Sequence, residues 1–287
     1  MVDSTMPNRE RFFYWLSEVK RIAPGTILNY RLHLRLLHEA GGDILKFTEY
    51  RQIESLILDV KVSRRWGDTT TFKSAVISKH YYDWAFRERL IDSNPMASGH
   101  AFKKNENTRV DFFDWDSESF NKLLKNPNNS VRINAMLHIL RSSGIRNGEL
   151  CNLKQSDHKG RILSVCGKTG RREAIIDEEA LMWLEAYKEG LKLLYSGEWL
   201  FTLEDYTKKI TEHALWQQVQ NLGRKIGIER CYPHMFRHSL AGQVLKKGGD
   251  IALAADLLGH KSLSMSKRYL HFSSDTRKKM YDQILKK

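Results

Sequence analysis

His234, Arg237 and His238 follow Pro233, a residue that favours a helix start. In a helix the three fall at i, i+3 and i+4 on one face. Arginine presents a planar fork of donors to a phosphate, and histidine can give or take a proton near neutral pH. Two histidines four apart are also half of a zinc site. The metalloprotease pattern needs Glu directly after the first His, and Met235 stands there. The bland alternative for this cluster is surface decoration. In Leu258-Gly259-His260, Gly259 is placed to stop a helix and to hold His260 just past its end. The alternative is a histidine whose charged form interacts with the helix dipole. Arg146 follows a helix break at Ser142-Ser143-Gly144 and precedes Glu149 by three. Glu149 could orient the guanidinium, or the two could form a surface ion pair worth little. Lys168 sits in a turn, Gly167-Lys168-Thr169-Gly170, and Tyr269 lies among Lys267, Arg268 and His271. Nearby cations favour a phenolate, so Tyr269 is a candidate nucleophile; a half-buried core aromatic is the alternative.

These side chains need elements to position them. Apolar periodicity predicts helices over residues 9–19, 27–40, 48–60 and 68–90. Phe12, Phe13, Trp15 and Leu16 line the first, and Gly41-Gly42 stops the second. Thr48 and Asp68 are the predicted caps of the third and fourth, and the fourth buries Phe72, Val76, Tyr81, Trp84 and Ala85. Asn94-Pro95 closes a helical bundle spanning 1–97. Residues 98–110 are polar, basic and aperiodic, and read as an interdomain linker. A second domain, 111–287, is predicted mostly helical, with helices over 131–141, 178–194, 211–226, 233–246 and 251–258. Another helix begins near Arg146, and an amphipathic one runs over 275–287. Short apolar runs at 161–166 and 173–176 flank the Lys168 turn and predict a β-hairpin.

The 287 residues carry 47 Lys and Arg against 34 Asp and Glu, a net charge of +13. Such an excess points to a polyanionic partner, nucleic acid before an anionic membrane surface. The charge is spread, with 18 basic against 13 acidic residues over 1–110 and 29 against 21 beyond. That suits two lobes gripping a duplex better than a basic tail. No run approaches the roughly 18 apolar residues that span a bilayer. The start has no apolar core of a secretory signal. Cys151, Cys166 and Cys231 lie far apart with no paired spacing, which argues against a disulfide scaffold or zinc finger and fits a reducing cytoplasm.

Taken in order, these residues resemble the tyrosine recombinase, or phage-type integrase, family. Its first arginine lies in a Gly-x-Arg-x-x-Glu-Leu context, matched by Gly144, Arg146, Glu149 and Leu150. Its hairpin lysine follows a glycine, as Lys168 follows Gly167. Its His-x-x-Arg-His box is matched by His234, Arg237 and His238, and its Leu-Gly-His box by Leu258, Gly259 and His260. Its tyrosine comes nine residues later, at Tyr269, with His271 behind it. Ile145 and Phe236 depart from a common leucine without touching the chemistry. Asn94-Pro95 at the end of a helical bundle resembles the family's core-binding domain.

The resemblance implies a mainly α fold. It would comprise an N-terminal, SAM-like helical core-binding bundle and an α+β catalytic domain with a small β-hairpin or sheet. It implies a site-specific recombinase that cleaves and rejoins DNA strands through a 3′-phosphotyrosyl intermediate. Arg146 and Arg237 would clamp the phosphate, and His260 would donate a hydrogen bond to it. His234 would be the base, Lys168 the acid and Tyr269 the nucleophile, with no metal, ATP or other cofactor. Glu149 would orient, His238 would support or pack, and His271 would be structural. The partners implied are a double-stranded DNA site held in a C-shaped clamp and three further copies in a tetrameric synapse on two sites. Accessory DNA-bending proteins or a partner recombinase could join them. The setting would be cytoplasmic and nucleoid-associated. Met280, Tyr281, Ile284 and Leu285 form a stripe that could dock on a neighbouring protomer or on their own domain. The early first helix leaves no room for an arm-type DNA-binding domain, which favours a compact Xer, plasmid-resolvase or mobile-element form. The rival readings are a type IB topoisomerase-like nicking-closing enzyme and a non-catalytic DNA-binding regulator on the same fold.

Overall fold

Serine, threonine and aspartate caps open most helices in the C-terminal part of this chain, whereas proline, alanine, glutamate and glycine precede those of the N-terminal part. The structure is a computed structural model that describes residues 7–103, 113, 115, 117–167 and 170–259. The chain divides into two compact units, residues 1–108 and 109–287.

The first unit is four helices: α1 (Asn8–Glu18), α2 (Pro24–Gly41), α3 (Tyr50–Ser63) and α4 (Asp68–Arg87). Phe12, Leu34, Leu37, Ile53, Ile57, Tyr81 and Trp84 form its core. Three details depart from the sequence reading. Helix α4 is capped by Gly67, and Asp68 is its first helical residue, where a carboxylate favours the positive end of the helix dipole. Helix α3 starts at Tyr50, with Glu49 as its cap in place of Thr48. Gln52 Oε1 turns back to accept from the N–H groups of Thr48 and Glu49, each at 3.1 Å. On α4, Tyr81, Trp84 and Ala85 are buried, but Phe72 and Val76 are only half-buried. The small Ser74, Ala75 and Ser78 take the deepest places instead, where α4 meets its neighbours closely. The chain past α4 stays with this unit. The Ala101 N–H donates to Tyr50 Oη at 2.8 Å, and Phe102 packs on the core.

The second unit runs α5 (Glu118–Leu124), α6 (Val131–Ser143), α7 (Asn147–Cys151), β1 (His158–Lys159), β2 (Ile162–Gly167), β3 (Gly170–Ile175), α8 (Glu178–Leu194), α9 (Glu212–Lys225), α10 (Pro233–Lys246) and α11 (Ile251–Leu258). The strands form an antiparallel sheet in sequence order, and Gly167 pairs with Gly170 at the turn end of the β2–β3 hairpin. Ser117, Ser130, Asp177, Thr211 and Asp250 each accept from a backbone N–H in the first turn of the helix they precede. Helix α6 is the centre: nine of its thirteen residues are buried, and it packs against both α8 and α10. Among the described residues, no helix is long and apolar enough to cross a membrane. The predicted helix over 275–287 lies outside the described residues, as do Lys168, His260 and Tyr269.

Candidate active site

Three guanidinium groups converge on the C-terminal end of α11. Arg237 Nη2 donates to the Leu258 carbonyl at 2.5 Å. Arg146 Nη2 donates to the Gly259 carbonyl at 3.2 Å, and Arg172 Nη1 to the Leu257 carbonyl at 3.4 Å. The last carbonyls of a helix lack partners within it, and the dipole makes that end negative. That end therefore favours cations even before any acid is counted.

Gly144 makes the convergence possible. It caps α6 in the left-handed region, with φ of 56°. A Cβ there would come within 2.7 Å of Leu258 Cδ2 and 2.9 Å of Leu240 Cδ2, so only glycine lets α6, α10 and α11 close on one another. Its carbonyl accepts from Arg237 Nη1 at 2.8 Å. Arg237 is thus buried, at 3% exposure, and its fork is spread across the ends of two helices.

Two residues after Gly144, Arg146 caps α7 and closes a ring with Glu149. Its backbone N–H donates to Glu149 Oε2 at 2.8 Å, and its Nη1 donates to Oε1 at 2.7 Å. Glu149 is 2% exposed, so Arg146 pairs with a buried carboxylate, unlike the surface ion pair of the alternative reading. Arg172 Nη2 reaches the same carboxylate, at 2.9 Å from Oε2. Burial pushes the Glu149 carboxyl up. The Arg146 N–H and the guanidiniums of Arg172 and Arg146 outweigh that and hold it below the usual carboxylate range.

The hairpin ends at this network. A Cβ on Gly167 would lie 2.7 Å from Glu149 Oε1, so the glycine before Lys168 rests against the carboxylate. Gly259, just before His260, takes φ of 60° and abuts the Arg172 side chain. The residues preceding Lys168 and His260 therefore both border the arginine cluster.

Of the sequence-predicted set, Arg146 and Arg237 meet at one helix end. His234 lies in the first turn of α10 on an exposed position, edge-on to half-buried His238, with ring centroids 6.0 Å apart. Arg237 does not share their solvent exposure, because α10 is buried on most of its surface. Among the described residues, no group of three or more His, Cys, Asp or Glu is arranged to hold a metal ion. Sequence reasoning missed Arg172. Strand alternation carried the signal: Ala174 and Ile176 are buried, so Arg172 falls on the inward face while Arg171 points out.

The phage integrase family pattern matches residues 115–275. The chain is 27% identical to the tyrosine recombinase XerD of Yersinia pestis over 294 positions, covering 96% of each chain. It is 26% identical to the tyrosine recombinase XerC of Escherichia coli O1:K1 over 283 positions, covering 95% of this chain and 94% of that one. The solved integrase of the Tn1549 transposon, in complex with a circular intermediate DNA, matches with a TM-score of 0.77 at 16% identity. That match covers 98% of this chain and all of the other, and is a likeness of fold.

Proposed function

Because the chain belongs to the phage integrase family, we propose that it is a site-specific tyrosine recombinase acting on double-stranded DNA. The observation that carries the reading is the gathering of Arg146 and Arg237, 91 residues apart, on the adjacent carbonyls of Gly259 and Leu258. A phosphodiester repels nucleophiles, and its transition state collects negative charge on the non-bridging oxygens. Preorganised cations are what that charge needs, and losing one such donor costs about 3–4 kcal/mol of barrier in comparable oxyanion sites.

In the proposed reaction the Tyr269 oxygen attacks phosphorus, and the bond to the 5′-oxygen breaks. The phosphate stays on the tyrosine through its 3′ side, and a 5′-hydroxyl is released. A 5′-hydroxyl from another strand then attacks the phosphotyrosine and expels the phenol. Bond energy is conserved throughout, so no nucleotide is consumed. A free phenol has a pKa of about 10, so Tyr269 needs a base or a cationic surrounding. His234, an exposed residue in the otherwise buried first turn of α10, is the proposed base. Lys168, which follows Gly167 at the hairpin end, is the proposed acid for the 5′-oxygen. His260 follows Gly259 and is the proposed hydrogen-bond donor to the phosphate. Strand exchange requires four copies on two sites, and accessory or partner proteins would set the outcome.

A nicked duplex that releases a short fragment after cleavage traps the covalent state. Wild-type protein should form a protein–DNA adduct on its site, found first as inverted repeats in DNA flanking the gene. Tyr269→Phe keeps the ring and should bind equally well with no adduct. An adduct formed by the Phe variant would remove Tyr269 as nucleophile. Relaxation of plasmids that lack any such site would favour nicking-closing over recombination.

A further inference from the structure

We propose that Arg172 is a positioning residue for strand cleavage, acting through Glu149 to keep Arg146 both aligned and effectively cationic. The inference rests on the recombinase reading and assigns a role to a residue outside the six-residue set above.

The geometry has three parts. Arg172 lies on β3, four residues past Lys168, with its side chain only 16% exposed. Its Nη2 donates to Glu149 Oε2 at 2.9 Å, while Glu149 Oε1 accepts from Arg146 Nη1 at 2.7 Å. Its stem fills the space that a Cβ on Gly259 would occupy, and its Nη1 reaches the Leu257 carbonyl. One side chain therefore joins the hairpin strand, the Arg146 ring and the end of α11.

The electrostatics explain why a second arginine is there. Glu149 is needed to orient Arg146, but a buried carboxylate paired with one guanidinium cancels its charge. A phosphate approaching a neutral pair gains little. Arg172 adds a second positive charge to the same carboxylate, so the triad carries a net +1. It also engages Oε2, which leaves Oε1 for Arg146 and fixes the plane of the carboxylate. Removing Arg172 would leave Glu149 facing Arg146 as its sole guanidinium partner among the described residues.

The test is single-turnover cleavage of the nicked duplex with wild type, Arg172→Met and Arg172→Lys, each also measured for DNA affinity and melting temperature. Arg172→Met should slow adduct formation by about 10- to 100-fold, by analogy with the loss of residues that orient the ligands of a metal site. Affinity should change by less than about twofold, a small part of that effect. Arg172→Lys, which keeps a charge within reach of Glu149, should recover most of the lost rate. In a Glu149→Gln background, Arg172→Met should have little further effect, because the residue it acts through is already altered. A packing role would give additive losses and no rescue by lysine, and that pattern overturns the proposal. Unchanged cleavage by Arg172→Met overturns it too. If Arg172→Met does not fold, the lysine variant decides: a rate more than about tenfold below wild type, with a wild-type melting temperature, rejects the charge argument. Failure of the wild type itself to form an adduct would instead reject the recombinase reading.

Discussion

Arg146 and Arg237 reach the end of α11 under different constraints, and their removal should be felt differently. Arg237 is buried and donates to two carbonyls, those of Gly144 and Leu258. Arg237→Ala leaves both without that donor, so it should lower stability by about 1–3 kcal/mol as well as abolish cleavage. Arg146 is partly exposed, with a quarter of its side chain open, and Arg146→Ala should cost mainly rate. Urea denaturation of the two variants, beside single-turnover cleavage, separates the effects; equal stability losses would contradict the assignment. Lys168 tests the other end of the reaction. If it protonates the departing 5′-oxygen, Lys168→Ala should regain much of its cleavage rate on a substrate with sulfur at that bridging position. Sulfur leaves without a proton, whereas Arg146→Ala should show no such rescue if Arg146 serves the non-bridging oxygens. Equal rescue of both variants would show the acid to be elsewhere. The Arg146–Glu149 pair was legible because partners three apart declare themselves at a helix start. The burial of Arg237 was not. Helical spacing reveals which residues share a face, but not whether a neighbouring helix covers it.

Elements place these residues, and the glycines at their ends carry the placement. Gly144 closes α6 with φ of 56° and has Leu258 and Leu240 packed against the position of its missing Cβ. Gly144→Ala should cost about 1–2 kcal/mol for the left-handed backbone. Overpacking between α6, α10 and α11 should add about 1–3 kcal/mol. Relief of that contact would displace the carbonyl that Arg237 uses and the chain leading into Arg146. Cleavage should therefore fall more than the loss of folded protein explains, which thermal melts and adduct assays on the same sample would show. A stable variant with wild-type cleavage would mean that the glycine serves only the turn. Periodicity, with Pro233 and Gly259, made these helices readable: the runs of α8, α10 and α11 begin and end where apolar spacing and those two residues place them. Short α5 escaped although Ser117 caps it locally; the other misses were elements whose reasons lie elsewhere in the chain. Strand β1 is two residues long and exists through its pairing with β2. Arg172 shows its importance only once Glu149, 23 residues earlier, is known to be buried beside it.

At the scale of the whole molecule, the charge is a statement about DNA. The net +13 is divided between the two units, with basic residues exceeding acidic ones in each. If both units touch phosphates, binding must release condensed counterions from two stretches of duplex. Log affinity then falls linearly with log salt, with a slope of about −0.9 for each phosphate neutralised. Six to ten contacts would lower affinity by about 10³- to 10⁵-fold between 50 and 200 mM salt. The same slope should hold for Tyr269→Phe, since the phenol is neutral and contributes no counterion release, whereas replacing exposed basic residues in either unit should flatten it. Filter binding or fluorescence anisotropy across a salt series measures this directly. A slope near zero would show that the excess charge serves solubility and neutralises no phosphates, and a footprint of only a few nucleotides would count against contact by both units.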